Sequence, residues 1–182
     1  RPGKDSYRAS EAGADGVVLA GPQGVAFLEP AEDADPRRLV ERFGATVDTP
    51  WPELNRLFPS ARALAQAPAN AIGELGIVRQ RVGALQALAG EIHAGRIALD
   101  RAAPLGATLD ALRALPGIGE WTVQLIAMRA LAWPDAFPAS DIGVMNALGT
   151  RDVKRVAEMS EAWRPWRSYA VMRLWQTLET GT

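Results

Sequence analysis

The chain has 182 residues, 48% of them hydrophobic, which suits one globular domain or two small ones with a buried core. It contains no cysteine, and this excludes disulfides, thiolate zinc sites and iron–sulfur clusters. The formal net charge is −1, so bulk charge gives no support for nucleic-acid binding, and only a local motif can decide that question.

The first 35 residues differ in composition from the rest of the chain. They are rich in glycine, alanine, aspartate and proline, and they show little helical periodicity. Two short strands, Val17–Ala20 and Val25–Leu28, fit around a turn at Gly21–Gly24, because proline and glycine favour turns. A disordered segment fits the same composition. Residues 1–35 are therefore predicted to be an atypical lead-in, with both interpretations open.

From residue 36 onward the sequence predicts one helix after another. Pro36 suits the first position of a helix, and Gly44 suits its end. The apolar face between them consists of Leu39, Val40 and Phe43. Further helices are predicted at Ala61–Gln66 with Ser60 as cap, at a short turn capped by Asn70, at Val78–Ala94, at Leu109–Leu115 with Thr108 as cap, at Glu120–Leu131, at Asp141–Leu148, at Asp152–Trp163 and at Pro165–Glu179. Residues 36–182 are thus predicted to be all-α.

Two of the predicted helices meet at the sequence LPGIG, residues 115–119. Pro116 ends the first helix, and Gly117 and Gly119 let the backbone turn tightly and approach a ligand. Ile118 is expected to pack inward between the two helices. The free N–H groups and the positive dipole end of the second helix then point outward and suit a phosphate. An ordinary corner between helices explains the same five residues.

The stretch LPGIGEWTVQLIAMRALAWPDAFPASDIGVMNAL, residues 115–148, resembles the hairpin and catalytic segment of the helix-hairpin-helix DNA glycosylases. The resemblance is closer to their 3-methyladenine DNA glycosylase II branch, which repairs alkylated bases. The tail EAWRPWRSYA, residues 161–170, is similar to the C-terminal helix of that branch. The resemblance covers roughly residues 37–179. It implies an all-α, multi-helix helix-hairpin-helix DNA glycosylase fold, with the hairpin at about 109–131 and an irregular or short β lead-in.

The reaction that the resemblance implies is hydrolysis of the N-glycosidic bond of an alkylated purine, flipped out of double-stranded DNA. Asp141 then serves as the catalytic carboxylate that stabilises positive charge on the sugar, although a helix-opening aspartate can also be a plain N-cap. Its neighbour Asp135 is interpreted as a solvated turn residue. Other superfamily members have a nucleophilic lysine at the position of Trp121. No lysine lies between Lys4 and Lys154, so we expect a monofunctional enzyme without lyase activity.

The resemblance also implies a base pocket. Trp121 and Trp175 match aromatic positions of the branch's pocket, and an indole face attracts a cationic base. Leu125 and Gln176 stand where relatives often have tyrosines, so the preferred alkylated base stays open. Thr122 either supplies a hydroxyl near the phosphate site or caps the second helix of the hairpin.

Four other residues near the C-terminus are not assigned to the DNA-binding or base-binding site. Arg164 and Arg167 are assigned to a solvated basic face in preference to phosphate contacts, and Trp163 and Trp166 to the core of the last helices.

We expect no metal site and no cofactor, apart from a monovalent cation that the hairpin carbonyls can hold by resemblance. The protein is expected to be a cytoplasmic monomer without membrane association, since no apolar run reaches the roughly 20 residues of a membrane helix.

The resemblance fails just before the first helix. There the family has another helix, whose loop fills the gap left by the flipped base, but residues 16–36 contain turn formers and acids. Truncation, a shifted reading frame, divergence and a missing upstream partner domain all remain open, and no wedge residue can be assigned. The alternatives to a glycosylase are therefore a non-catalytic helix-hairpin-helix DNA-binding protein, an inactive truncated glycosylase and a plain helical interaction domain.

Overall fold

The computed structural model describes residues 17–21, 24–28 and 36–180. Strands β1 (Val17–Gly21) and β2 (Gly24–Leu28) pair in antiparallel orientation, with Val17 opposite Leu28. They correspond to the two-strand interpretation of the lead-in. The remainder of the predicted lead-in lies outside the described residues.

Helices make up most of the described chain after the strands. They are α1 (Pro36–Phe43), α2 (Ala61–Gln66), α3 (Ala69–Gly73), α4 (Arg79–His93), α5 (Leu105–Arg113), α6 (Glu120–Arg129), α7 (Ile142–Ala147), α8 (Val153–Ser160), a 3-10 turn (Glu161–Trp163) and α9 (Arg167–Thr180). None of the helices in this part of the chain is long and apolar enough to cross a membrane. The prediction of a helical fold is confirmed.

Two helix starts follow local sequence signals. Helix α1 begins at Pro36 as predicted, and Leu39 on its apolar face is completely buried. The Ser60 hydroxyl accepts a hydrogen bond of 3.2 Å from the Ala63 N–H and caps α2. Both starts depend on residues within one turn of each other, which is why the sequence predicts them.

Two predicted caps are wrong. Helix α5 begins after Pro104, a full turn before the expected start, so Thr108 lies inside the helix and its N–H donates to the Pro104 carbonyl at 3.0 Å. Helix α3 begins after Pro68, and Asn70 is its second residue. Each helix follows a proline whose restricted φ, −66° at Pro104 and −59° at Pro68, is compatible with a helix start.

The interior contains two groups of buried apolar side chains, and helix α4 contributes to both. The smaller group belongs to α1–α4 and includes Leu39, Leu64, Ile72, Val82 and Leu85. The larger group belongs to α4–α9 and includes Leu88, Leu112, Val123, Ile126, Val144, Val156 and Val171. Complete burial of such a side chain stabilises the fold by about 1.5–3 kcal/mol. The shared helix α4 therefore joins the two halves.

The arrangement of the last helices determines where polar side chains can meet. Helices α7 and α9 pack against each other, α6 packs against α5, and strand β1 lies beside α6.

Trp163 is partly buried against the larger core and meets Phe137 edge to face, with ring centroids 6.0 Å apart. Trp166 is 58% exposed, so its assignment to the core is wrong; it lies between the 3-10 turn and α9.

Candidate active site

The LPGIG segment forms the tight connection between α5 and α6. Gly117 has a φ of +79°, in the left-handed region, and an added Cβ would lie 2.9 Å from the Cβ of Ala84. Gly119 is the N-cap of α6, and the space around its Cα is open. The first glycine is therefore required by the backbone and by α4, whereas the second keeps the approach to the helix N-terminus clear.

The other hairpin residues divide into inner and outer positions. Ile118 is buried in the larger core, which confirms that it packs inward. Pro116 is exposed at the turn. Thr122 is buried within α6, and the N-cap is Gly119 without a side-chain hydrogen bond, so the capping role considered for Thr122 is wrong. The N-terminus of α6 thus retains uncapped backbone donors at an exposed turn.

An ion pair connects the two hairpin helices. The Arg113 guanidinium at the end of α5 donates to both carboxylate oxygens of Glu120, from Nε at 2.8 Å and from Nη2 at 3.0 Å. Gln124 donates to the same carboxylate at 2.7 Å. The hydrogen bond from Arg113 lowers the pKa of Glu120, against the opposing effect of desolvation. This pair was not predicted from the sequence, although residues of opposite charge flank the turn.

Asp141 is completely buried at the start of α7. Its Oδ1 accepts a hydrogen bond of 2.8 Å from the N–H of Val144, so Asp141 is the N-cap of that helix. The two interpretations of this residue are compatible, because the cap uses only one of the two carboxylate oxygens.

Two indoles converge on the Asp141 carboxylate. Trp121, in the first turn of α6, donates from Nε1 to Oδ2 at 3.0 Å. Trp175, on α9, donates from Nε1 to Oδ1 at 2.9 Å. With the Val144 N–H, three donors from three different elements hold the carboxylate, and each donates to one of its two oxygens. Side chains 20 and 34 positions away in sequence thus fix its orientation.

The other two predicted pocket residues differ from each other in burial. Leu125 is one turn after Trp121 on α6 and is buried in the core, whereas Gln176 is exposed beside Trp175. Arg129, which was not predicted as a site residue, lies on the same face of α6 as Trp121 and Leu125. Its guanidinium carbon is 5.6 Å from the centroid of the Trp175 ring. The structure therefore groups the two tryptophans around Asp141 and leaves Gln176 at the surface.

Asp135 is buried, and its interpretation as a solvated turn residue is wrong. Arg167 donates to its two carboxylate oxygens, from Nε at 2.7 Å and from Nη2 at 2.9 Å, and Arg164 donates to it as well. The assignment to a solvated basic face is therefore also wrong for Arg167, which is buried, whereas Arg164 is exposed although it contacts Asp135. Their charges are used within the protein, because burial of a carboxylate requires charged partners.

Among the described residues, no group of three or more histidine, aspartate and glutamate side chains could hold a metal ion. The polar side chains at this site instead surround the single carboxylate of Asp141 with N–H donors. The chemistry that these side chains can offer is stabilisation of a positive charge that develops next to Asp141.

No family model matches the chain. It is 40% identical over 146 residues to a Mycobacterium tuberculosis protein named probable bifunctional transcriptional activator/DNA repair enzyme AlkA, covering 78% of this chain and 29% of that protein. It is 29% identical over 140 residues to DNA-3-methyladenine glycosylase 2 of Escherichia coli, covering 77% of this chain and 49% of the relative. The chain therefore spans from under a third to about half of the length of these relatives.

Among solved structures, the fold is similar to that of a 3-methyladenine DNA-glycosylase from Archaeoglobus fulgidus. The TM-score is 0.65 at 23% sequence identity, and the match covers 78% of this chain and 50% of that one. At this identity the match shows that the two proteins share a fold.

Proposed function

Because the chain belongs to the helix-hairpin-helix DNA glycosylase superfamily, in its 3-methyladenine DNA glycosylase II branch, we propose that it removes alkylated purines from DNA. The reaction is hydrolysis of the bond between base and deoxyribose. The observation on which this proposal depends most is the buried Asp141 carboxylate between the indoles of Trp121 and Trp175.

In this reaction the C1′–N bond breaks and the electron pair leaves with the base. The sugar then carries positive charge, and water adds to C1′ and loses a proton. A carboxylate that is already oriented stabilises the charged sugar without reorganisation, and such a preorganised group is worth about 3–4 kcal/mol in the transition state. The three N–H donors keep the Asp141 carboxylate in one orientation before the substrate arrives.

The two tryptophans support the proposed substrate class. Alkylation of a purine ring nitrogen leaves the base electron-poor or cationic, and an indole face attracts a cation by roughly 0.5–2 kcal/mol. Trp121 is half-buried, so part of its surface is accessible next to the buried carboxylate. We propose that the flipped base enters over Trp121, while Leu125 and Gln176 contribute to the limits of the pocket.

Double-stranded DNA is the proposed partner, and the hairpin is its proposed binding site. Backbone N–H groups at a helix N-terminus bind phosphate without basic side chains. The open space at Gly119 and the exposure of Pro116 and Gly117 support contact with a phosphate there. This mode of binding is compatible with a net charge of −1.

The proposal extends to the reaction type, the location, the oligomeric state and the cofactors of the enzyme. We propose a monofunctional hydrolase, because Trp121 stands at the position of the lysine nucleophile in related lyases. We further propose a cytoplasmic monomer that needs no cofactor, with at most a monovalent cation bound by backbone carbonyls of the hairpin.

A non-catalytic DNA-binding protein is the second candidate. It is favoured by the strands β1 and β2, which occupy the part of the chain where the family resemblance implies a helix with a base-displacing loop. A protein that grips DNA through the hairpin but cannot flip a base would bind duplex DNA without releasing methylated purines.

Substitution of Asp141 by asparagine tests the proposal against this alternative. Asparagine can still cap α7, so the fold is expected to persist, but base release from methylated duplex DNA should fall by about 10²–10³. The matched control is Asp152→Asn, because Asp152 caps α8 through the N–H groups of Lys154 and Arg155 and is exposed. Duplex binding without base release by the wild type would favour the second candidate, and equal release by wild type and Asp141→Asn would reject the catalytic role.

A further inference from the structure

We propose that Asp135 and Arg167 are positioning residues. They hold the Asp141 carboxylate and the Trp175 indole in the relative positions that their hydrogen bond requires. Together with Glu161 and Arg164 they form what is here named the Asp135 cluster. The proposal rests on the proposed function, since it assigns these residues a task in orienting the same carboxylate. It concerns a pair of charges that make no direct contact with Asp141 in the described structure.

The first observation is the geometry of the pair. Arg167 donates to both carboxylate oxygens of Asp135, and its Nη2 also donates to the Asp135 backbone carbonyl at 2.8 Å. The side chains of both residues are nearly buried, with 11% of Arg167 and 10% of Asp135 exposed. A planar guanidinium that contacts both oxygens and the backbone of one residue restricts its orientation as well as its position.

The second observation is that the next residue of α9 binds the same loop. The Ser168 hydroxyl lies 2.7 Å from the Trp133 carbonyl oxygen and 3.0 Å from that of Ala136, and the Ser168 N–H donates to the Pro134 carbonyl at 2.9 Å. The first turn of α9 is thus attached to four consecutive residues of the loop between α6 and α7. This attachment uses side chains and backbone alike.

The third observation is that the loop between α6 and α7 continues to Asp141, and that α9 continues to Trp175. Asp141 lies six residues after Asp135, and Trp175 lies eight residues after Arg167, about two helical turns or roughly 12 Å along α9. The two segments meet again where the Trp175 indole donates to Asp141. The loop, α9 and these two contacts therefore form a closed path, and a shift at one contact displaces the other.

The loop itself needs such an attachment. Ala132 has a φ of +52°, a conformation that residues with a side chain rarely adopt. The same loop is also bound to α6, where Gln124 accepts a hydrogen bond of 2.9 Å from the Phe137 N–H. Since α6 bears Trp121 and α9 bears Trp175, the loop is held between the two helices whose indoles contact Asp141.

The remaining members balance the charge of the cluster. Glu161 accepts hydrogen bonds from Arg164 at 2.7 Å and from Arg167 at 3.3 Å. Two arginines and two carboxylates leave the cluster without net charge at neutral pH, so it adds little long-range field at the candidate site. We therefore expect it to act through geometry, and its loss should lower the turnover number kcat more than it changes DNA affinity.

The test compares Arg167→Lys and Arg167→Gln with the wild type. Lysine retains the charge but cannot contact both oxygens in one plane, so kcat for base release is expected to fall at least tenfold in both variants, with the Kd for duplex DNA within twofold. Arg96→Gln is the control, because Arg96 forms an exposed two-contact pair with Glu91 at the end of α4. The control should keep its kcat.

A second measurement does not depend on activity. The indole N–H signals of Trp121 and Trp175 in NMR spectra, assigned with single Trp→Phe variants, report their hydrogen bonds to Asp141. We expect both signals to move upfield in the Arg167 variants and to stay in place in Arg96→Gln. Ser168→Ala, which removes only the hydroxyl contacts, is expected to give a smaller shift in the same direction, and it serves if the Arg167 variants fail to fold.

Unchanged kcat and unchanged indole signals in a folded Arg167 variant would overturn the proposal. So would a folded Ser168→Ala variant with unchanged indole signals, if neither Arg167 variant folds. An inactive wild type would instead reject the proposed function, and the indole signals would still decide whether the Asp135 cluster positions the carboxylate.

Discussion

The indole nitrogen of Trp175 donates to Oδ1 of Asp141 at 2.9 Å, although 34 positions separate the two residues in sequence. The same oxygen also accepts from the Val144 N–H at 2.8 Å, whereas Oδ2 accepts from Trp121 alone among the residues that the structure describes. Each oxygen therefore loses one donor when its tryptophan is substituted, but Oδ1 keeps the Val144 N–H, whereas Oδ2 keeps no donor among the described residues.

Trp121→Phe should destabilise the protein by about 1–3 kcal/mol, because it leaves Oδ2 of a buried carboxylate without its hydrogen bond. Trp121 is only half-buried, so the cavity left by the smaller ring adds little. Urea unfolding at neutral pH measures the change, with Trp166→Phe as the control at an exposed position. Equal unfolding free energies for the two variants would contradict the assigned hydrogen bond.

The two glycines of the hairpin should respond differently to alanine. Gly117→Ala should cost about 1–2 kcal/mol, because alanine disfavours the positive φ and its Cβ would press against Ala84. Gly119→Ala should cost less than about 1 kcal/mol, because its surroundings are open, yet weaken duplex binding severalfold by obstructing the proposed phosphate site.

Thermal unfolding and a DNA-binding titration of both glycine variants separate these effects. Gly106→Ala is the control, since Gly106 lies in α5 with open space around it and alanine favours a helix. If Gly119→Ala bound duplex DNA as tightly as the wild type, the hairpin would be an ordinary corner between helices.

The Arg113–Glu120 pair should make the hairpin sensitive to acid. Its hydrogen bond lowers the pKa of Glu120 below the ordinary value of 4.5, so the folded state binds this proton less readily than the unfolded state. The stability from the pair is therefore complete above pH 4.5 and is lost as the pH falls through the lower folded-state pKa.

Unfolding of wild type and Glu120→Gln between pH 3 and 7 (roughly the range of carboxylate titration) checks this sign. The wild type should lose its advantage over Glu120→Gln below pH 4.5, while the difference stays constant near neutral pH. The effect should be small because most of the carboxylate is exposed and solvent screens the pair. An advantage that grew toward low pH would refute the assignment.

Base release should leave an abasic site in an unbroken strand. By the family resemblance, Trp121 stands at the position of the lysine in related lyases, and an indole cannot form a Schiff base with the sugar. Borohydride added during the reaction should therefore trap no covalent protein–DNA adduct, as judged by denaturing gel electrophoresis. An adduct that formed with the wild type but not with Lys154→Ala would identify a lysine nucleophile and reject the monofunctional mechanism.

The predictions that succeeded depend on contacts within a few residues. Proline at the start of α1, the Ser60 cap and the inward packing of Ile118 are set by backbone conformation and by helical spacing, which neighbouring residues determine. The predicted helix caps at Thr108 and Asn70 also depended on local signals but are wrong, because those helices begin earlier, directly after Pro104 and Pro68.

The errors at Asp135 and Arg167 have a different cause. In sequence each is a charged residue beside turn formers, and such residues are usually solvated. The partners lie 32 positions apart, and only packing of α9 against the loop brings them together in a buried pair. No short-range pattern contains that information.

The sequence by itself determined the helical fold and the tight connection between α5 and α6, because periodicity and turn formers are local in the chain. Through a family motif it also predicted Asp141 as the catalytic carboxylate. Only the tertiary structure decided which side chains hold Asp141 and which charges are buried. Burial and pairing depend on helices that are distant in sequence, and the free energy of a buried charge is set by those neighbours.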